Sequence, residues 1–205
     1  DERKSSFIEI VKGYTREQAE READRCVACG LCTATCPAHM DIPAYIAAIR
    51  EGDLEEGLRI LYDTNPLPEI CGRVCTHRCE DVCSIGYSGD PLAIRWLKRY
   101  IADYVPFENY KKILGLENLP ENNKKVGIIG AGPSGLSAAY YLRTLGYSVT
   151  IFEAKEKGGG MTMYGIPKYR LPLGIMDAEI GLLAEMGIEF RFNTMIGKDA
   201  DFETL

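Results

Sequence analysis

Histidine, tryptophan, basic runs and long apolar stretches are what this chain has least of. Only two of its 205 residues are histidine and one is tryptophan. His39 and His77 have no general-base partner nearby, so both are read as structural or exposed rather than catalytic. No acid–base pair or activated nucleophile suggests a substrate-transforming site, and no catalytic residue is assigned. No stretch approaches ~18 consecutive apolar residues, so no segment is expected to span a membrane, and no leader-like apolar segment is seen. A net charge of −6 with a pI near 5.1, and no basic cluster, argue against a nucleic-acid partner. Internal repeats and low-complexity tracts are missing too. Hydrophobic residues make up 46% of the chain, enough for an ordinary buried core.

Cysteine, by contrast, is plentiful. Eight cysteines lie in two tight groups, all before residue 84. Cys26, Cys29, Cys32 and Cys36 are followed by Pro37 as C-x2-C-x2-C-x3-C-P; Cys71, Cys75, Cys79 and Cys83 follow at steps of four. The first string is the iron–sulfur signature of bacterial-type ferredoxins, in which three close thiolates take one cluster and the fourth turns to another. Eight thiolates suffice for two clusters, so electron transfer is the first inference. Disulfides suit small secreted domains, and these runs are too close for easy internal pairing. Structural zinc prefers C-x2-C pairs set further apart, but stays open as an alternative. Thiolates kept free for a cluster need a reducing compartment, which points to the cytoplasm.

The expected architecture is α plus α/β: residues 1–112 an α-helical ferredoxin-like two-cluster domain, 113–124 a polar linker, and 125–205 a partial Rossmann-type domain. Thr15 with Gln18 resembles a capping box opening a helix to about Arg25. Asp41 and Asp53 read as N-caps of helices 42–50 and 54–63, with Gly52 ending the first. Asn65-Pro66-Leu67-Pro68 blocks continuation, and 91–104 is a last amphipathic helix in which Trp96 and Tyr100 are packing residues. In the second half, 125–129 reads as a short buried strand, 134–145 as a helix, 148–153 as a strand, 173–186 as a helix and 188–192 as a strand. This is a βαβ pattern with a parallel sheet.

Gly130-Ala131-Gly132-Pro133-Ser134-Gly135 follows the first strand and opens a helix. In that context G-x-G-x-x-G is a strong dinucleotide signal. Gly130 permits the turn, Gly132 lets pyrophosphate approach, and Gly135 lets helix and strand pack closely. The helix N-terminus offers free N–H groups to phosphates. Glu153, ending the next strand, is placed to accept ribose hydroxyls and would repel a 2′-phosphate, so this pocket is not expected to hold NADP. Gly158-Gly159-Gly160 suits backbone lying against a ligand. Met161, Tyr164 and Ile166 offer an apolar surface, and Arg170 a cation for an anionic ligand.

The string from Asn65 to Cys75 is similar to the N-terminal cluster domain of the glutamate synthase small subunit. Gly159-Gly160-Met161, with Tyr164 through Pro172, resembles that family's flavin-facing loop. Dihydropyrimidine dehydrogenase and the large subunit of the electron-bifurcating ferredoxin:NADP oxidoreductase share this two-domain start. The resemblance covers nearly the whole chain. It implies FAD in the Gly130 loop, touched also by Glu153, Gly159, Gly160, Met161, Arg170 and backbone near Ile196, together with two [4Fe–4S] clusters. By position, Cys26, Cys29, Cys32 and Cys83 hold one cluster, while Cys36, Cys75 and Cys79 hold three irons of the other. The family's eighth ligand, Glu or Gln, falls on Lys98, which as an ammonium has no lone pair to give. Cys71 is one substitute; a solvent ligand, an altered cluster or Glu80 are others. The resemblance also implies a second nucleotide fold for NAD(P)H beyond Leu205, so the chain is expected to be a piece of a longer polypeptide that retains flavin weakly alone. The leading function is therefore an electron-transfer module of an NAD(P)H-dependent FAD/iron–sulfur oxidoreductase, working with a partner subunit or domain. A non-redox scaffold with structural clusters and a zinc-stabilised NAD-binding enzyme are the alternatives.

Overall fold

A computed structural model describes Ser6 and residues 8–204. The chain divides into two compact units, Ile10–Leu114 and a second that runs on from Gly115.

The first unit is helical. Helix α1 (Arg16–Ala23) opens on a complete capping box: Thr15 Oγ1 accepts the Gln18 N–H at 3.3 Å, and Gln18 Oε1 accepts the Thr15 N–H at 2.9 Å. Helix α2 (Leu31–Thr35) is short. Helix α3 (Ile42–Glu51) has Asp41 accepting the Ala44 N–H at 3.1 Å and Pro43 in its first turn, where a missing N–H costs nothing. It stops at Gly52, left-handed at φ 75°. Helix α4 (Leu54–Thr64) is capped by Asp53, which accepts the Glu56 N–H at 2.9 Å.

Pro68 does more than end α4. It also starts helix α5 (Pro68–Val74), because proline's fixed φ suits a first turn. Helices α6 (Arg78–Asp81), α7 (Ile94–Tyr104) and α8 (Tyr110–Ile113) complete the unit. The core forms where α7 packs on α1, α3, α4 and α5, burying Ile46, Ile49, Leu58, Leu61, Leu97 and Ile101. Gly72 lets α5 press close: a Cβ there would stand 3.0 Å from Arg99 Cα. A buried ionic chain spans the same contact. Arg73 pairs with Glu69 and Asp103, and Asp103 accepts from Arg99 Nε at 2.9 Å.

The second unit is a small α/β layer. Strands β1 (Lys125–Ile129), β2 (Ser148–Phe152) and β3 (Glu189–Arg191) form a parallel sheet in the order β1-β2-β3, with Ile128 opposite Ile151 and Ile151 opposite Phe190. Helices α9 (Pro133–Thr144), α10 (Met161–Tyr164) and α11 (Leu173–Glu185) lie between the strands in sequence. Such βαβ connections are what parallel pairing requires. Leu136, Ala139, Val149, Ile151, Met176 and Leu183 make the core.

One expectation fails here. β1 is not a buried strand: its residues alternate between exposed and half-buried, and Ile129 is 57% exposed. Among the described residues β1 has a strand neighbour on one side only, so it is an edge. Residues 115–124, read as part of a linker, are grouped with this unit; the Asn122 N–H bonds the Gly146 carbonyl at 2.9 Å and Arg143 Nη1 bonds the Pro120 carbonyl at 2.9 Å.

Candidate cluster and nucleotide sites

Four cysteines from three separate stretches of the helical unit line one cavity. Cys26, Cys29, Cys32 and Cys83 share it with Val27, Ala28, Pro43, Ile46, Ile85, Leu92 and Ile94, around about 330 Å³ of space partly open to solvent. Left-handed backbone at Ala28 (φ 53°) and Gly30 (φ 78°) curls the Cys26–Cys32 segment inward. Cys83, at the start of the 3-10 turn Ser84–Tyr87, closes it from the far end of the second group. Ser84 Oγ donates to Cys29 Sγ at 3.2 Å, and that hydrogen bond holds the exposed Cys29 thiol below its ordinary pKa. Burial pushes Cys32 up.

The second group assembles from α2, α5 and α6. Cys36 follows the last residue of α2, Cys71 lies within α5, Cys75 ends it, and Cys79 lies in α6. Cys71 and Cys75 are hydrogen-bonded to each other and share one proton: Cys71 is held as the thiol, while Cys75 is pulled down to about 5. Burial pushes Cys79 up to about 12, with the neighbouring charges of Glu80, Cys75 and Cys36 raising it further and Lys98 opposing. The His77 N–H, on left-handed backbone at φ 45°, donates to Cys75 Sγ at 3.3 Å. Lys98, at the position where the resemblance implies a ligand, is buried and places Nζ 2.8 Å from Cys71 Sγ. Glu80 is engaged elsewhere: Oε1 accepts the Arg95 N–H at 2.9 Å and Oε2 faces His77 Nδ1 at 3.2 Å. Tyr45, fully buried on α3, feels the charges of Cys79, Cys32, Cys71 and Cys36, so it stands between the two groups. Tyr45 and Ser84 carry no sequence signal; only the packing of α3 and the turn after Cys83 reveals them.

Among the described residues, no three His, Cys, Asp or Glu side chains converge on a single ion. A structural zinc needs four donors at about 2.0–2.3 Å around one point. An iron–sulfur cluster spreads its four thiolates over separate irons and does not. The donor chemistry and the shared, largely apolar cavity therefore fit a cluster better than a zinc ion.

In the second unit the glycine loop turns from β1 into α9. Gly130 adopts φ 97°, and Gly135 sits so close that a Cβ would lie 2.0 Å from the Gly130 carbonyl oxygen. Glu153, after β2, accepts the Ala131 N–H at 2.8 Å and the Lys155 N–H at 2.9 Å. The glycine run folds onto the same loop: Gly159 donates its N–H to the Ala131 carbonyl, and a Cβ on Gly160 would meet Gly132 Cα at 3.0 Å. Gly130, Ala131, Gly132, Glu153, Gly159 and Gly160 are thus brought together, with Pro133 and Ser134 opening α9. Met161 is 74% exposed and Arg170 is exposed; no contact ties either to the loop. Ile196 is half-buried in an isolated bridge with Ala200.

Residues 3–110 match the family described as dihydropyrimidine dehydrogenase domain II, 4Fe-4S cluster, and residues 128–175 match an NAD(P)-binding Rossmann-like domain. The chain is 46% identical over 176 residues to the NADPH-Fe(3+) oxidoreductase subunit beta of Geobacter sulfurreducens, covering 85% of this chain and 26% of that protein. It is 44% identical to the NADP(+)-dependent formate dehydrogenase subunit beta of Moorella thermoacetica, covering 85% and 27%. It is 35% identical to the glutamate synthase [NADPH] small chain of Escherichia coli, covering 99% and 43%. The chain therefore spans well under half the length of these relatives. No helix among the described residues is long and apolar enough to cross a membrane.

Proposed function

Because the chain belongs to the dihydropyrimidine dehydrogenase domain II 4Fe-4S family, we propose that it is the electron-transfer module of an NAD(P)H-dependent iron–sulfur flavoprotein, exchanging electrons with a partner subunit or domain. The observation that carries this reading is the single cavity lined by Cys26, Cys29, Cys32 and Cys83. Those four thiolates hold one [4Fe–4S] cluster; Cys36, Cys71, Cys75 and Cys79 hold a second. Binding must displace the proton that Cys71 and Cys75 share, so loading is coupled to proton release. Reducing conditions, as in a cytoplasm, keep these thiols available.

The nucleotide in the second unit is FAD. Its pyrophosphate lies against Gly130–Gly135 and the α9 N-terminus, and its ribose takes Glu153. Glu153 must then exchange its bond to the Ala131 N–H for ribose hydroxyls, freeing that N–H for phosphate. Gly159 and Gly160 move with the loop they cover, and Met161, Arg170 and Ile196 lie along the flavin. When bound, the flavin supplies conversion between a two-electron hydride and single electrons. NAD(P)H is bound by a segment outside these 205 residues. The relatives' printed descriptions as oxidoreductase subunits support the partner.

Anaerobic purification with iron, sulfide and flavin analysis tests the reading. About eight irons, clusters reducible by dithionite and bound FAD are expected. Protein without flavin absorbance or iron would defeat it, and metal that never changes valence would favour a structural scaffold.

A further inference from the structure

We propose that Lys98 is the counter-cation of the second cysteine group, making the centre held there easier to reduce than the centre held by Cys26, Cys29, Cys32 and Cys83. The proposal rests on the two-cluster reading above. Lys98 projects from α7 with only 5% of its surface exposed, and its Nζ lies 2.8 Å from Cys71 Sγ. A buried ammonium is costly unless an anion balances it. The carboxylates along the adjoining helices are engaged with other groups. Glu80 takes the Arg95 N–H and faces His77, Glu69 takes Arg73, and Asp103 takes Arg73 and Arg99. The balancing charge therefore comes from sulfur. Four thiolates on an iron–sulfur core are net negative, and they provide it.

The two groups differ in this respect. The side-chain donor to sulfur in the first is the neutral hydroxyl of Ser84, 3.2 Å from Cys29. In the second it is a full positive charge. Adding one electron makes no bond and breaks none; it adds one negative charge to the centre. A fixed cation at hydrogen-bond distance favours that state, and net charge with hydrogen bonds to sulfur is what tunes such potentials. Lys98 is a positioning residue: it holds the Cys71 thiolate toward the core and sets the order in which the two centres fill.

Redox titration of the anaerobically purified protein, followed by electron paramagnetic resonance, tests this on Lys98→Met and Lys98→Arg. In the methionine variant one centre should become at least tenfold harder to reduce, about 59 mV for one electron, with the other unmoved. The arginine variant should stay within about threefold of wild type, or about 28 mV. Unchanged potentials in Lys98→Met would overturn the proposal, as would equal shifts in both variants. If Lys98→Met loses four irons, restoration by Lys98→Arg supports a charge role and loss in both overturns it. Wild-type protein lacking a second cluster would instead sink the underlying two-cluster reading, and this proposal with it.

Discussion

Two glycines five residues apart in sequence terms as close as Gly132 and Gly135 should respond to alanine in opposite ways. A Cβ at Gly135 would stand 2.0 Å from the Gly130 carbonyl oxygen and 3.2 Å from Ile128 Cγ2. Ordinary contact would need the α9 N-terminus to withdraw by roughly 1.2 Å, and the obstructing atom is backbone, which no rotamer change relieves. Overpacking of this kind costs typically 1–3 kcal/mol and occasionally more; the upper end, about 3 kcal/mol, is expected here. At Gly132 an added Cβ meets nothing within 4 Å, and the backbone at φ −77° and ψ 174° suits alanine. Gly132→Ala should leave stability within about 0.5 kcal/mol while placing a methyl where pyrophosphate approaches. Urea unfolding and FAD binding by fluorescence separate the two. Gly135→Ala should lose stability and binding together, whereas Gly132→Ala should lose at least tenfold in affinity at unchanged stability. Full FAD affinity in Gly132→Ala would refute the phosphate site, and native stability in Gly135→Ala would refute the packing.

Three further outcomes follow from the helical unit. Asp103→Asn removes a charge shared by Arg73 and Arg99, whose side chains are each 5% exposed, and should cost about 3 kcal/mol in urea unfolding; a loss under about 1 kcal/mol would contradict the network. Burial holds the Glu69 carboxyl above its ordinary range against the opposing pull of Arg73. A raised folded-state pKa gives stability that is full below the unfolded value and lost as pH rises through the folded one. The stability difference between wild type and Glu69→Gln should therefore shrink between acidic and neutral pH, and a widening gap would reverse the sign. Ser84→Ala removes the hydroxyl bonded to Cys29 and should make the first centre about fivefold harder to reduce, the equivalent of about 1 kcal/mol, as redox titration would report.

Local chemistry made much of this architecture legible. Thr15 and Gln18, Asp41, Asp53 and Gly52 cap as their residue types dictate, since short side chains and αL glycine satisfy helix ends wherever they occur. The glycine loop between a strand and a helix was equally readable. Longer-range facts were not. Pro68 read as a stop because proline ends one helix as readily as it begins another, so α5, which carries Cys71, went unseen. β1 read as buried because its residues are apolar, but exposure depends on which strands flank it. Spacing showed that Lys98 departs from the family pattern; only packing of α7 on α5 shows that its ammonium reaches Cys71. Glu153 was placed for ribose, yet its bond to the Ala131 N–H emerges only in the folded loop.

Anomalous diffraction at the iron edge from anaerobically grown crystals would test the central claim most directly. Two compact iron peaks are predicted, one enclosed by Cys26, Cys29, Cys32 and Cys83, the other by Cys36, Cys71, Cys75 and Cys79. A single peak, or scattering at the zinc edge instead, would contradict it.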